Sequence, residues 1–215
     1  MIAIIDYDAG NIKSVEKAVD FLGHECVTTR DSKAILNADH VILPGVGAFG
    51  DAMDKLKEYG LIDVIKKVCE DGTPFLGICL GLQLLFESSE ESPGIGGLSI
   101  LKGKIKRLPE GAVNAESDAG KKADSVRLKV PNIGWNSLTL RGSGRLFSDV
   151  PDESFVYFVH SYYLDAEDKS IVKATIEYGT RVDASVESGN IFACQFHPEK
   201  SSETGLSILE NFLNV

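Results

Sequence analysis

The chain has 215 residues, of which 43% are hydrophobic, enough for a substantial core and, at this length, for a single domain over residues 1–215. A formal charge of -10 disfavours nonspecific nucleic-acid binding, which needs clustered Lys and Arg, and no apolar run reaches the length of a membrane span. Cys26, Cys69, Cys79 and Cys194 lack CxxC spacing, which argues against a zinc site and a disulfide framework, so free thiols and neither metal nor cofactor are expected.

The chain opens on a buried-strand pattern at residues 2–6, with no basic leader or cleavage site, which reads as a cytoplasmic protein without a signal peptide. A helix follows over residues 11–22, where Val15, Ala18, Val19 and Leu22 recur at helical spacing. Strands are predicted at 26–28 and 41–43, a helical stretch at 51–69, a strand at 75–78 and a helix at 80–88. This alternation implies an α/β fold, and the continuous apolar runs at 41–43 and 75–76 imply a mostly parallel central sheet flanked by helices on both faces. The segment between Glu110 and Arg127 is small and polar without periodicity, so an exposed loop is expected there. Strands at 137–140, 155–160, 171–178, 182–187 and 191–196 then crowd the second half, with some antiparallel pairing and a hairpin signal at Ser188-Gly189-Asn190. A closing amphipathic helix is predicted over residues 203–213.

The segment Gly77-Ile78-Cys79-Leu80-Gly81 carries a strand into a helix through Gly-x-Cys-x-Gly, the pattern of a nucleophile elbow. Glycines on either side remove β-carbons that would clash in the strained turn, and the helix N-terminus favours a thiolate at Cys79. A cysteine nucleophile needs a base, and His24, His40, His160 and His197 are the candidates. His24 and His40 sit at the starts of early strands, where structural roles are expected. His197 ends a strand, and Glu199, two residues on, projects to the same side in extended backbone, so it can accept from one imidazole nitrogen while the other faces Cys79. Cys79, His197 and Glu199 therefore form a candidate triad. Acyl transfer also needs oxyanion donors, supplied here by the N–H of Leu80 and the glycine-rich loop Pro44-Gly45-Val46-Gly47, at Val46 and Gly47.

Together with His197-Pro198-Glu199-Lys200-Ser201, these motifs resemble the class I (triad) glutamine amidotransferases over nearly the whole chain. Asp6-Tyr7, Gly10-Asn11, Ala48-Phe49, Pro131-Asn132-Ile133-Gly134-Trp135-Asn136 and Phe158-Val159-His160-Ser161-Tyr162-Tyr163 narrow the resemblance to glutaminase subunits of imidazole glycerol phosphate synthase. The resemblance implies a flavodoxin-like sheet, hydrolysis of L-glutamine to glutamate and ammonia, and a heterodimer with a (β/α)8-barrel cyclase subunit. It further implies that Gly47, Gln83, Glu91, Ser161 and Tyr162 hold the substrate's amino-acid end, and that Asn11, Trp135, Tyr157 and Lys200 lie near the partner interface. The chain departs from the family at Asp8, where glycine is often found, at Asn132, where histidine is often found, and in its longer loop at 111–125. Three alternatives stay open at this point: a glutaminase serving anthranilate or pyridoxal phosphate synthesis, a catalytically silent regulatory relative, and a cysteine or ester hydrolase on the same elbow.

Overall fold

The computed structural model describes residues 1–111 and 128–215, so apart from Gly111 the predicted loop lies outside the described residues. In chain order the elements are β1 (Ile2–Ile5), α1 (Ile12–Phe21), β2 (Cys26–Thr29), α2 (Ser32–Leu36), β3 (His40–Leu43), α3 (Phe49–Glu58), α4 (Leu61–Glu70), β4 (Phe75–Ile78) and α5 (Leu80–Leu84). There follow β5 (Ser88–Ser89), β6 (Gly103–Arg107), β7 (Asn132–Ser137), β8 (Thr139–Leu140), β9 (Phe155–His160), β10 (Tyr162–Ala166), β11 (Val172–Glu177), β12 (Arg181–Ser188), β13 (Ile191–Cys194) and α6 (Ser202–Leu213).

The main sheet runs β2-β1-β3-β4-β13-β12-β10-β6-β5, with β11 and then β8 branching from β12. Its first five strands are parallel, and the antiparallel pairs begin at β13-β12, the predicted hairpin. Because β1, β3 and β4 are buried on both faces, alternate residues feed two cores. Ala3, Ile5, Val41, Leu43 and Phe75 pack against α2, α3 and α4, whereas Ile2, Ile4, Ile42, Leu76 and Ile78 pack against α1 and α6. Each fully buried large side chain of this set stabilises the fold by about 1.5–3 kcal/mol. A separate antiparallel pair, β7-β9, aligns Trp135 with Tyr157 and Asn132 with His160.

Several predicted boundaries are corrected. The helical stretch at 51–69 is two helices, since Gly60 adopts φ 66°, a left-handed conformation that ends α3 before α4 starts. The helix at 80–88 stops at Leu84, because the carbonyls of Leu84, Leu85, Phe86 and Glu87 accept hydrogen bonds from the segment at 97–101, and residues 88–89 join a strand instead. The predicted strand at 137–140 is parts of β7 and β8, interrupted at Leu138 where its backbone pairs with Ser154 and Glu153. Helix α2 and strands β6 and β10 had no counterpart in the sequence reading. In β6 only Gly103 and Ile105 are buried among lysines and arginine, too weak an alternation to register.

What this topology positions is one edge. The parallel register of β1, β3, β4 and β13 makes their carboxyl ends coincide, so the loops at 6–11 and 44–48, Cys79, and the segment at 195–199 converge.

Candidate functional site

Cys79 leaves β4 with φ 54° and ψ -106°, a strained geometry for a residue with a side chain. The flanking glycines show why the turn is possible. A β-carbon on Gly81 would land on the carbonyl oxygen of Leu43, and one on Gly77 would sit 2.8 Å from the carbonyl oxygen of Gly81. Backbone cannot retreat from either contact without moving the elbow. Cys79 is almost fully buried, its thiol directed toward the Val159 carbonyl at 4.0 Å, and it accepts from Gln195 Nε2 at 3.6 Å.

His197 and Glu199 follow β13 on the neighbouring parallel strand. Nδ1 of His197 lies 2.8 Å from Oε1 of Glu199, and both side chains are buried. The Glu199 carboxylate therefore accepts from Nδ1 and leaves Nε2 for the Cys79 sulfur. Burial pulls the imidazolium pKa down, but the adjacent Cys79 sulfur and Glu199 carboxylate outweigh it and lift the value to about 9. The same Glu199 oxygen accepts from Nδ2 of Asn11 at 2.8 Å, and Asn11 is itself held by the Ser14 hydroxyl at 2.7 Å. Asn11, assigned to an interface on resemblance, thus also turns its side chain toward the triad carboxylate.

A cavity of about 320 Å³ opens beside Cys79. Val46, Gly47, Leu80, Gln83 and Glu91 line it, with Ser161 and Tyr162 opposite, so every residue predicted for the oxyanion hole or the substrate is brought to one place. Glu91 is oriented by the N-terminus of α3, where its Oε2 accepts from the Phe49 N–H at 2.8 Å. Gln83 donates through Nε2 to the Tyr162 carbonyl at 3.1 Å and to Gln195 Oε1 at 3.0 Å. The loop at 44–48 is pinned at its start by the Tyr7 hydroxyl, which donates to the Pro44 carbonyl at 2.9 Å. Burial pushes the Tyr7 phenol above its ordinary value, so it stays a donor. The Leu80 N–H is already engaged, donating to the Gly45 carbonyl at 3.3 Å, while Gly47 adopts φ 105°.

Two polar groups of this site differ from what sequence reasoning gave: His160, one of the four candidate bases, and Gln195, which was assigned no role. His160 also lines the cavity, with Nδ1 bonded to the Tyr162 carbonyl at 2.9 Å and Nε2 to Asn132 Nδ2 at 3.1 Å. Burial drives its pKa down to about 4, with nearby His197 adding to the shift, so it is neutral and both nitrogens are occupied. Asn132 faces this buried histidine rather than the surface. Gln195 is the other group, and its position two residues before His197 in a strand was the available signal. Asp8, the other departure, adopts φ 64°, the conformation a glycine tolerates best, and its carboxylate is held by Arg30 at 2.7 Å and by the Tyr59 hydroxyl. His40 lies at the opposite end of the sheet, edge-on to Phe212.

Trp135 is half-exposed and packs edge-on against Tyr157, with ring centroids 6.0 Å apart. Ile133 and Phe155 lie exposed on the same face of the β7-β9 pair, and Lys200 is exposed in the turn after Glu199.

The family model for class-I glutamine amidotransferases matches residues 3–215. The chain belongs to that family. Among relatives of this amidotransferase, the imidazole glycerol phosphate synthase subunit HisH of Bacillus cereus is 49% identical over 215 residues, covering 100% of this chain and 95% of that protein. The protein of the same name from Moorella thermoacetica is 48% identical over 211 residues, covering 98% and 93%. The fold matches a solved glutamine amidotransferase at TM-score 0.73 and 19% identity, covering 100% of this chain and 98% of that one. It also matches PurLQS from Thermotoga maritima at TM-score 0.70 and 20% identity, covering 99% and 97%. No helix among the described residues is long and apolar enough to cross a membrane.

Proposed function

We propose that this chain is the cytoplasmic glutaminase subunit of an imidazole glycerol phosphate synthase, a single domain paired with a (β/α)8-barrel cyclase subunit. The cyclase would use the ammonia to convert PRFAR into imidazole glycerol phosphate and AICAR, in histidine biosynthesis. The observation that carries the reading is a strained, buried cysteine at the foot of a cavity, backed by a histidine that a buried carboxylate holds in one tautomer. The full-length similarity to proteins named HisH selects this pathway over anthranilate or pyridoxal phosphate synthesis.

In this mechanism the Cys79 thiol passes its proton to Nε2 of His197, and the sulfur attacks the side-chain carbonyl carbon of glutamine. The carbon–oxygen double bond opens to an oxyanion facing the N–H of Leu80 and the loop at Val46 and Gly47. When the intermediate collapses, the carbon–nitrogen bond breaks, His197 delivers its proton to the leaving nitrogen, and ammonia departs from a glutamyl thioester. Water then gives a proton to His197 and its oxygen to the thioester carbon, releasing glutamate and the thiol. Gln83, Glu91 and the backbone at Ser161 and Tyr162 hold the amino-acid end, where the Glu91 carboxylate suits the α-ammonium. Trp135, Tyr157, Asn11 and Lys200 form the contact with the cyclase, for which the exposed Ile133 and Phe155 supply further apolar area.

The bond from the Leu80 N–H to the Gly45 carbonyl supports a low glutaminase rate in the isolated chain, because that donor must be released before it can serve an oxyanion. The test is co-purification with the cyclase, followed by assays with glutamine and with ammonium. Cys79→Ala is expected to abolish synthesis from glutamine and spare synthesis from ammonium. Glutamate formation by Cys79→Ala at the wild-type rate, or a peptide or ester cleaved better than glutamine, would overturn the reading.

A further inference from the structure

Beyond the triad, a polar chain ends on the reacting sulfur, and its direction is fixed by a single backbone atom. The Tyr162 carbonyl can only accept, so the amide group of Gln83 facing it at 3.1 Å must be its nitrogen. That nitrogen's other hydrogen points to the side chain of Gln195 at 3.0 Å, which must therefore present its oxygen. The nitrogen of Gln195 is then left facing Cys79 Sγ at 3.6 Å, a contact distance for the larger sulfur atom. Reversing Gln195 would place two donors face to face at its junction with Gln83 and a carbonyl oxygen against the sulfur. Gln195 is fully buried, so water cannot replace what it supplies, and its own backbone N–H is held by the Ala184 carbonyl at 2.8 Å.

We infer that Gln195 is a further catalytic residue, an N–H donor that holds the Cys79 sulfur as a thiolate and sets the orientation from which it attacks. The inference deepens the glutaminase reading above and rests on it for the identity of the substrate. When the thiol proton moves to Nε2 of His197, the sulfur gains a full charge and the N–H···S contact becomes charge-assisted. When the sulfur bonds to the substrate carbon that charge leaves it, so the contact favours the state from which attack begins. Gln83 acquires a second duty as the positioning residue for Gln195, and only its side-chain oxygen remains to face the cavity.

The test uses the full chain with its cyclase and compares wild type with Gln195→Met, which keeps the bulk and removes the donor, and Gln195→Glu, which places an acceptor on the sulfur. The probe is iodoacetamide, a neutral alkylator that needs neither a glutamine pocket nor an oxyanion hole, with labelling of Cys79 followed by mass spectrometry as a function of pH. The ionisable groups around the sulfur are His197 with its partner Glu199, Tyr7, Cys194, and His160 and Glu91 of the same cavity, and all are retained in both variants. The pH of half-maximal alkylation is expected to rise by about one unit or more in both, and kcat/KM for glutamine to fall about tenfold or more, with ammonium-dependent synthesis unchanged. An unchanged alkylation profile in a Gln195→Met chain that still co-purifies with the cyclase would overturn the inference. Should the variants not fold, the Gln195 side-chain amide proton in nitrogen-labelled wild type decides: it is expected to shift with the same pH midpoint as alkylation, and a flat signal refutes the contact. Absence of glutamine hydrolysis by wild type in the complex would sink the glutaminase reading instead, and leaves the alkylation comparison intact.

Discussion

Replacing Asn11 by glycine removes a hydrogen bond to the carboxylate of the candidate triad. Asn11 adopts φ 71° and ψ 11°, a conformation glycine accepts without cost, so the substitution removes the side chain and leaves the backbone unstrained. What is lost is the 2.8 Å bond from Nδ2 to Oε1 of Glu199, on a fully buried carboxylate whose Oε2 has no partner, together with the Ser14 hydroxyl bond to Oδ1 that orients the amide. Hydrogen bonds to charged groups contribute about 1.5–3 kcal/mol, which corresponds to a fall of about one to two orders of magnitude in kcat/KM if Glu199 must stay in place for His197 to act. The assay is glutamate release by the complex across pH, with the melting temperature and co-purification with the cyclase as the controls for folding and assembly. Removing a competing donor concentrates the carboxylate on His197, so the basic limb of the profile, set by a group raised to about 9, is expected not to move down while kcat falls. Wild-type kcat/KM in Asn11→Gly would refute the idea that Asn11 positions Glu199, and a lost basic limb would mean that it acts on protonation.

Gly81→Ala drives a β-carbon onto the Leu43 carbonyl, so urea denaturation is expected to show a loss of at least about 1–3 kcal/mol, and wild-type stability would contradict the account of the elbow. His160 is buried with its pKa depressed to about 4. Between the ordinary value of 6.5 and that value the unfolded chain takes up a proton that the native chain refuses, so stability present above pH 6.5 is lost by up to about 3 kcal/mol as pH falls toward 4. His160→Gln should flatten that acid limb in urea unfolding at pH 7.5 and 5, and an equally steep limb counts against it. Trp135→Ala, at a half-exposed position, should leave the melting temperature within a few degrees and weaken cyclase binding about tenfold or more; unchanged affinity by titration calorimetry would remove Trp135 from the interface.

The chemistry was more legible than the scaffold around it. The elbow at Cys79 and the pair at His197 and Glu199 depend on local spacing that a sequence displays directly, although the pair meets through a 3-10 turn at Pro198–Lys200, which starts after β13 has ended at Cys194, and not through the extended backbone expected. Strands Phe75–Ile78 and Phe155–His160 were predicted to the residue because both are dense in apolar and β-branched side chains. The end of α5 was not, since what stops it is the return of residues 97–101, a long-range event without local mark. Gly60 did carry a mark, and its left-handed φ is the reason for it. Gln195, and the contact of Asn11 with Glu199, escaped for a third reason. Their roles depend on which way an amide points, and only the assembled neighbours Tyr162, Gln83 and Glu199 determine that.

If cyclase binding releases the Leu80 N–H from the Gly45 carbonyl, as proposed above, that hydrogen bond makes the chain a reporter of its own assembly. An electrophilic glutamine mimic whose reaction passes through an oxyanion requires that donor, whereas a simple haloacetamide requires only the sulfur. In a mixture of free and complexed chains, the first reagent would therefore count the complexes and the second would count every molecule. Their ratio gives the assembled fraction from covalent labels alone, without separating the two populations.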